Sequence, residues 1–124
     1  LLASALALVA LLWAQRTWRG VRRAQRFHRR FPASPDGIVI GAEPRHYAGD
    51  GRRALLLLHG YNDSPASLDD VARAIHASGW TVRLPLLPGH GRSLEAWDAW
   101  TGTEAVEFVR AEYAVLRATH PIVV

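Results

Sequence analysis

"LLLLHGYNDSPAS", residues 55–67, decides how this chain folds. Ala54 to Leu58 has no polar interruption, which reads as a strand buried on both faces, because a parallel strand covered by helices shows no side to water. His59-Gly60 then closes the strand. Tyr61 and the turn formers Asn62-Asp63-Ser64-Pro65 fall at its carboxyl end, the edge where open α/β sheets collect ligands and chemistry.

Upstream, Ile38 to Tyr47 reads as extended and runs into "AGDGRR" (48–53), so a hairpin into the Ala54–Leu58 strand is the simple expectation. Phe31 to Gly37, with two prolines and a glycine, reads as a linker that ends where the domain begins, near residue 36. Downstream, Ser67-Leu68-Asp69-Asp70 has the spacing of a capping box, and Leu68, Val71, Ala72 and Ile75 recur at helical intervals until Gly79. "WTVRLPLL" (80–87) is a second strand, followed by the glycine-rich "PGHGRS" (88–93). Thr101-Gly102-Thr103-Glu104 repeats the capping spacing ahead of a helix striped by Val106, Val109, Tyr113 and Leu116, which runs to about Thr119. His120-Pro121 stops it, and "HPIVV" opens another buried strand. Strands alternating with helices of this length predict βαβ units and a parallel sheet.

The 124 residues suit one domain, and an apolar fraction of 49% is that of a globular chain. Cysteine is absent, which excludes disulfides, a thiolate nucleophile and thiolate-ligated metals. The six histidines show no metal-ligand spacing, and no glycine-rich phosphate loop follows a strand in the required pattern. The net charge of +4 is unevenly placed: seven of the fifteen basic residues, all arginine, lie between Arg16 and Arg30 with no acid among them. Eight arginines against eleven acids leave the remainder mildly acidic. Basicity thus belongs to a segment and not to the domain, and nucleic acid is not expected as a partner.

That segment follows an apolar run, Leu1 to Ala14, broken only by Ser4. Fourteen helical residues cover about 21 Å of a roughly 30 Å hydrocarbon core, so the run as it stands is too short to span. A few further apolar residues upstream of Leu1 would complete a transmembrane helix. Trp13 and Trp18 sit where an interfacial aromatic belt belongs, and the arginines follow as a juxtamembrane cluster. Residues 1–15 are therefore expected to be a membrane anchor, 16–35 an Arg-rich segment and linker, and 36–124 the domain, which the positive-inside rule puts on the cytoplasmic side.

The succession of strand, "HGYNDSPAS", helix, strand and "PGHGRS" resembles the α/β-hydrolase fold over about residues 36–124, a mostly parallel sheet flanked by helices. More narrowly it is similar to the esterase, monoacylglycerol-lipase and lysophospholipase branch, sometimes described as serine aminopeptidase-like. The resemblance implies that the backbone N–H of Tyr61 is one of two oxyanion-hole donors, the other following the nucleophile. It also implies that Gly60 lets the backbone approach the substrate and that the Tyr61 side chain lines an acyl pocket. His59 would be structural, bonding within its loop, and Gly89, His90 and Gly91 would scaffold the rim of the site. No cofactor or metal is implied.

Ser64, Ser67 and Ser93, with His59 or His90 and Asp63 or Asp69, supply the residue types of a triad. None of these serines stands in Gly-x-Ser-x-Gly on a sharp strand-to-helix turn. Ser67 reads as a helix cap and Ser64 as a turn residue. No triad member is therefore expected in the chain. It reads as the amino-terminal portion of a longer serine hydrolase, inactive by itself, whose "HPIVV" strand leads toward the nucleophile. The expected substrate is a carboxylic ester with a lipid-like acyl group. A noncatalytic, membrane-tethered binding protein of the same fold, or an amide or peptide hydrolase, are the alternatives.

Overall fold

The computed structural model describes residues 2–124, which divide into two compact units, one up to Pro32 and the other Ala33–Val124. The first unit is one helix, α1 (Leu2–Arg30), of 29 residues. It runs without a break from the apolar stretch through the arginines, because neither half contains proline and its one glycine, Gly20, lies inside a run of good helix formers. Among the described residues no helix is long and apolar enough to cross a membrane. Within the described helix the apolar stretch gives way to arginines from Arg16 onward.

The second unit contains β1 (Arg45–Tyr47), β2 (Arg53–Leu56), a 3₁₀ turn (Pro65–Leu68), α2 (Asp69–His76), β3 (Thr81–Leu84), α3 (Leu94–Ala99), α4 (Gly102–Thr119) and β4 (Ile122–Val123). The strands form one sheet in the order β1-β3-β2-β4. β2 pairs in parallel with β3 and with β4, and β1 pairs antiparallel with β3. This is the mostly parallel, helix-flanked sheet anticipated from the alternation of elements.

The expected hairpin between β1 and β2 does not form. β3 lies between them, with Arg45 opposite Leu84 and Tyr47 opposite Val82. The "AGDGRR" segment is held instead to the start of β3: the Asp50 N–H donates to the Gly79 carbonyl at 2.8 Å and the Gly49 N–H to Thr81 Oγ1 at 3.0 Å. Five connecting residues, 48–52, give room for that detour, whereas a two-residue turn would have forced adjacency.

Side chains alternate across a strand, so Val82 and Leu84 share one face while Arg83 takes the other. On the first face Val82, Leu84 and Ala72 of α2 are fully buried, with Tyr47, Leu55, Leu57, Leu68, Ile75 and Trp80 packed against them. On the opposite face Arg83 forms a two-pronged ion pair with Glu112 of α4. The β2 run is less buried than a doubly covered strand: Ala54 is fully buried, Leu55 to Leu57 are half-buried and Leu58 is exposed.

The helical stripes hold in part. Ala72 is buried, but Val71 is exposed. In α4 only Leu116 is fully buried, with Val106 and Tyr113 exposed. Contact with the sheet is made by Glu112, which pairs with Arg83, and by the His120 that ends the helix, whose Nε2 meets Thr81 Oγ1 at 2.9 Å. The Thr101–Glu104 capping box is present, with the Thr101 hydroxyl accepting from the Glu104 N–H and the Glu104 carboxylate from the Thr101 N–H. The box expected at Ser67 is not. Pro65 starts a 3₁₀ turn one step earlier, and the Ser67 hydroxyl donates to Asp63 Oδ2 and the Ser64 carbonyl.

Candidate functional site

Two loops leave the carboxyl ends of neighbouring parallel strands: residues 57–64 after β2 and residues 85–93 after β3. Parallel pairing sends both in the same direction. His59 ties them together. It is 5% exposed, its Nδ1–H donates to the Gly60 carbonyl at 3.1 Å, and its Nε2 accepts the Leu87 N–H at 3.1 Å. One nitrogen must donate and the other accept, so these partners select the neutral Nδ1–H tautomer. Burial pushes the His59 pKa below the usual histidine value. The Gly60 carbonyl works against this, neighbouring His90 adds to the lowering, and Asp63 opposes it.

Beyond Gly60 the chain turns sharply, with Asn62 in the left-handed region at φ 56°, which Asn tolerates better than most residues. Tyr61 stands 79% exposed at the crest of this turn. Asp63 completes the loop by accepting from the Ser67 hydroxyl and the Ser64 N–H, bonds that hold its carboxyl below the ordinary carboxylate range.

The second loop is built around His90, 3% exposed, whose Nδ1–H donates to the Pro88 carbonyl at 2.9 Å. Gly89 and Gly91, at φ 76° and 55°, carry the chain around it. Each is also closely approached: a Cβ on Gly89 would meet the Trp100 indole, and one on Gly91 would meet Ala42. The Val39 N–H donates to the Gly91 carbonyl at 2.8 Å and fastens this loop to the segment before β1.

Aromatic rings join the loops. His59 and His90 lie edge to face with centroids 5.0 Å apart. Trp97 of α3 meets both His90, at 4.8 Å, and Tyr61, at 4.9 Å, while Trp100 stands 5.2 Å from His90. Sequence reasoning missed α3, and with it Trp97 and Trp100. The signal lay in "SLEAWDAW" (93–100), where Ser93 can cap a helix and two tryptophans recur three residues apart on one face. Ser93 does cap α3, its Oγ accepting the Ala96 N–H at 3.2 Å.

His59, Gly60, Tyr61, Gly89, His90 and Gly91 therefore form one cluster at the carboxyl edge of β2 and β3. Ser64, Ser67 and Ser93 are occupied by turn and cap geometry. A separate cavity of about 420 Å³ is lined in part by Arg45, Arg83 and Arg92. Its guanidinium groups are already engaged: Arg45 with Asp69, Arg83 with Glu112, and Arg92 with the Asp36 carbonyl. Among the described residues no group of three His, Asp or Glu side chains is placed to hold a metal ion.

No family model matches the chain. Over 80 residues it is 38% identical to a thermostable monoacylglycerol lipase of Bacillus sp. (strain H-257), a stretch amounting to 64% of this chain and 32% of that enzyme. Its fold is similar, with a TM-score of 0.66 and 29% identity, to a solved structure described with two metagenome-derived lipolytic enzymes, LipS and LipT. That match covers 69% of this chain and 35% of the other. The chain thus spans about a third of the length of the relatives it matches. Its sheet order and its paired loops are those of an α/β-hydrolase fold, and these two likenesses make the chain similar to esterases and lipases of that fold.

Proposed function

We propose that the chain is the amino-terminal portion of a serine hydrolase that cleaves carboxylic esters with lipid-like acyl groups. The reading is carried by the loop after β2, where His59 anchors the backbone and Gly60-Tyr61 stand exposed beyond it. Among the described residues no hydrogen bond within the chain engages the Tyr61 N–H. A backbone donor in that state suits an oxyanion hole, in which such a donor contributes about 3 kcal/mol of transition-state stabilisation. The neighbouring Gly60 has open space where a Cβ would project, so its lack of a side chain serves approach by another molecule better than it serves packing. The attacking Ser, its His and the acid belong to the remainder of the protein, since this chain has no Gly-x-Ser-x-Gly.

Membrane attachment through α1, with the domain on the cytoplasmic side, is part of the proposal. Leu6, Leu8, Leu11 and Trp13 are exposed along the first half of the helix, and Arg22 stacks over Trp18 at 4.0 Å in the second. Apolar residues entering a bilayer beside arginines at anionic headgroups would draw on both hydrophobic burial and about 1 kcal/mol per arginine. Sedimentation with phosphatidylserine-containing vesicles should capture the protein at low salt. Replacing the arginines of residues 16–30 by glutamine should release it.

The deciding experiment for the chemistry is ester hydrolysis by the protein encoded in full, followed with monoacylglycerols and short chromogenic esters. It is paired with labelling by a fluorophosphonate, which captures an activated serine. Turnover with covalent labelling supports the proposal. A folded protein that neither turns over an ester nor takes the label would be a binding module of the same fold.

A further inference from the structure

We infer that His59 is a positioning residue: as the neutral Nδ1–H tautomer it latches the loop after β2 to the loop after β3, and a second proton on its Nε2 opens that latch. What this means for catalysis rests on the oxyanion role proposed for Tyr61; the latch itself does not.

The argument is one of donors and acceptors. The Gly60 carbonyl can only accept, so Nδ1 must carry a proton. The Leu87 N–H can only donate, so Nε2 must be bare. Each ring nitrogen therefore reaches a different loop, and the Leu87 bond is 28 residues distant in sequence. Protonating Nε2 would set two N–H groups against one another inside a site where His59 is 5% exposed, and neither could turn to water without moving a loop.

The groups facing His59 bear on when this happens. From its own loop, the Gly60 carbonyl and the Asp63 carboxylate favour the second proton. From the loop after β3, the Leu87 N–H and the His90 ring oppose it, and so does burial, the largest influence. From α3 and the residue that follows it, Trp97 and Trp100 pack on His90. The balance puts the opening on the acid side of the ordinary histidine range. Tyr61 lies two residues from the latch, so its N–H would lose its fixed direction when the latch opens.

The test follows the Leu87 amide by hydrogen exchange in the protein encoded in full, corrected for the intrinsic pH dependence of exchange, between neutral pH and pH 5. In the native protein its protection should fall roughly five- to tenfold on acidification, the worth of one net hydrogen bond. His59→Gln keeps an acceptor oxygen in reach of Leu87 but cannot titrate, so protection should persist with no pH step. His59→Ala should lack protection throughout. A native Leu87 amide whose protection ignores pH, or a Gln variant that keeps the pH step, would overturn the inference. Should Ala fail to fold, native and Gln proteins still decide it. Ester hydrolysis measured on the same samples separates the two claims: a pH-gated Leu87 amide without esterase activity sinks the proposed function and leaves the latch.

Discussion

Gly89→Ala should be the most damaging single methyl that can be added to this domain near the site. Gly89 has φ 76°, and its Cβ would fall 2.3 Å from Trp100 Cδ1, 2.5 Å from Cγ and 2.8 Å from Trp100 Cβ. The left-handed conformation alone costs an L-residue roughly 1–2 kcal/mol. The steric overlap adds about 1–3 kcal/mol, the usual penalty for overpacking. Rotation of the indole cannot relieve it, because the clash includes the tryptophan's own Cβ, which stays where the backbone just after α3 holds it. The expected loss is therefore about 2–5 kcal/mol, read as a lowered midpoint in urea unfolding followed by circular dichroism. Tryptophan fluorescence should change as well, since Trp100 leaves His90. Gly60→Ala supplies the contrast. Nothing lies within 4 Å of its Cβ position, so stability should stay level or rise by up to about 1 kcal/mol while ester hydrolysis falls. A loss below about 0.5 kcal/mol for Gly89→Ala would refute the claim that Trp100 and the backbone conformation jointly demand glycine there.

Thr101→Ala removes the hydroxyl half of the α4 capping box, leaving its backbone N–H to the Glu104 carboxylate, and should cost about 1 kcal/mol in urea unfolding, with Thr101→Ser restoring most of it. Leu84→Ala empties a fully buried position beside Val82 and Ala72, and a loss of about 2–5 kcal/mol is expected from the same measurement. The Asp69 carboxyl is held below its usual range by its hydrogen bond from Tyr47 and then by Arg73. Its folded-state pKa lies under the unfolded one, so its contribution is complete above the unfolded value of about 3.9 and declines as pH falls through the folded one. Unfolding midpoints for native protein and Asp69→Asn should therefore differ at pH 7 and converge in acid. A constant gap would show that the carboxylate charge is not what matters.

The sheet and the two motif loops could be read from the sequence because each had a local cause. An uninterrupted Ala54–Leu58 run, a capping pair at Thr101 and Glu104, and glycines around His90 all act within a few residues. What could not be read was set at a distance. Nothing inside "AGDGRR" reveals that Gly49 and Asp50 bond to Thr81 and Gly79, so the sequence alone suggests β2 and not β3 as the neighbour of β1. Ser67 has the residues of a cap, but Pro65 begins its 3₁₀ turn first, and Asp63 takes the hydroxyl. At the site, His59, Gly60 and Tyr61 were legible as a group. The bond from Leu87 to His59 was not, since any backbone N–H could have filled that role. Trp97 and Trp100 escaped notice because α3 is only six residues long, too short for a periodic pattern to stand out.

Arg83 lies in the middle of a strand flanked by Val82 and Leu84, and Glu112 receives it. If β3 slid by one residue, the guanidinium would be driven among Ala72, Ile75 and Leu68, while two aliphatic side chains faced an unmatched carboxylate. An uncompensated charge buried in that way costs several kcal/mol, more than most misaligned ladders could recover. One ion pair on the far side of the sheet thus acts as a proofreader of alignment. It discards the slipped pairings in which the loops after β2 and β3 would never meet.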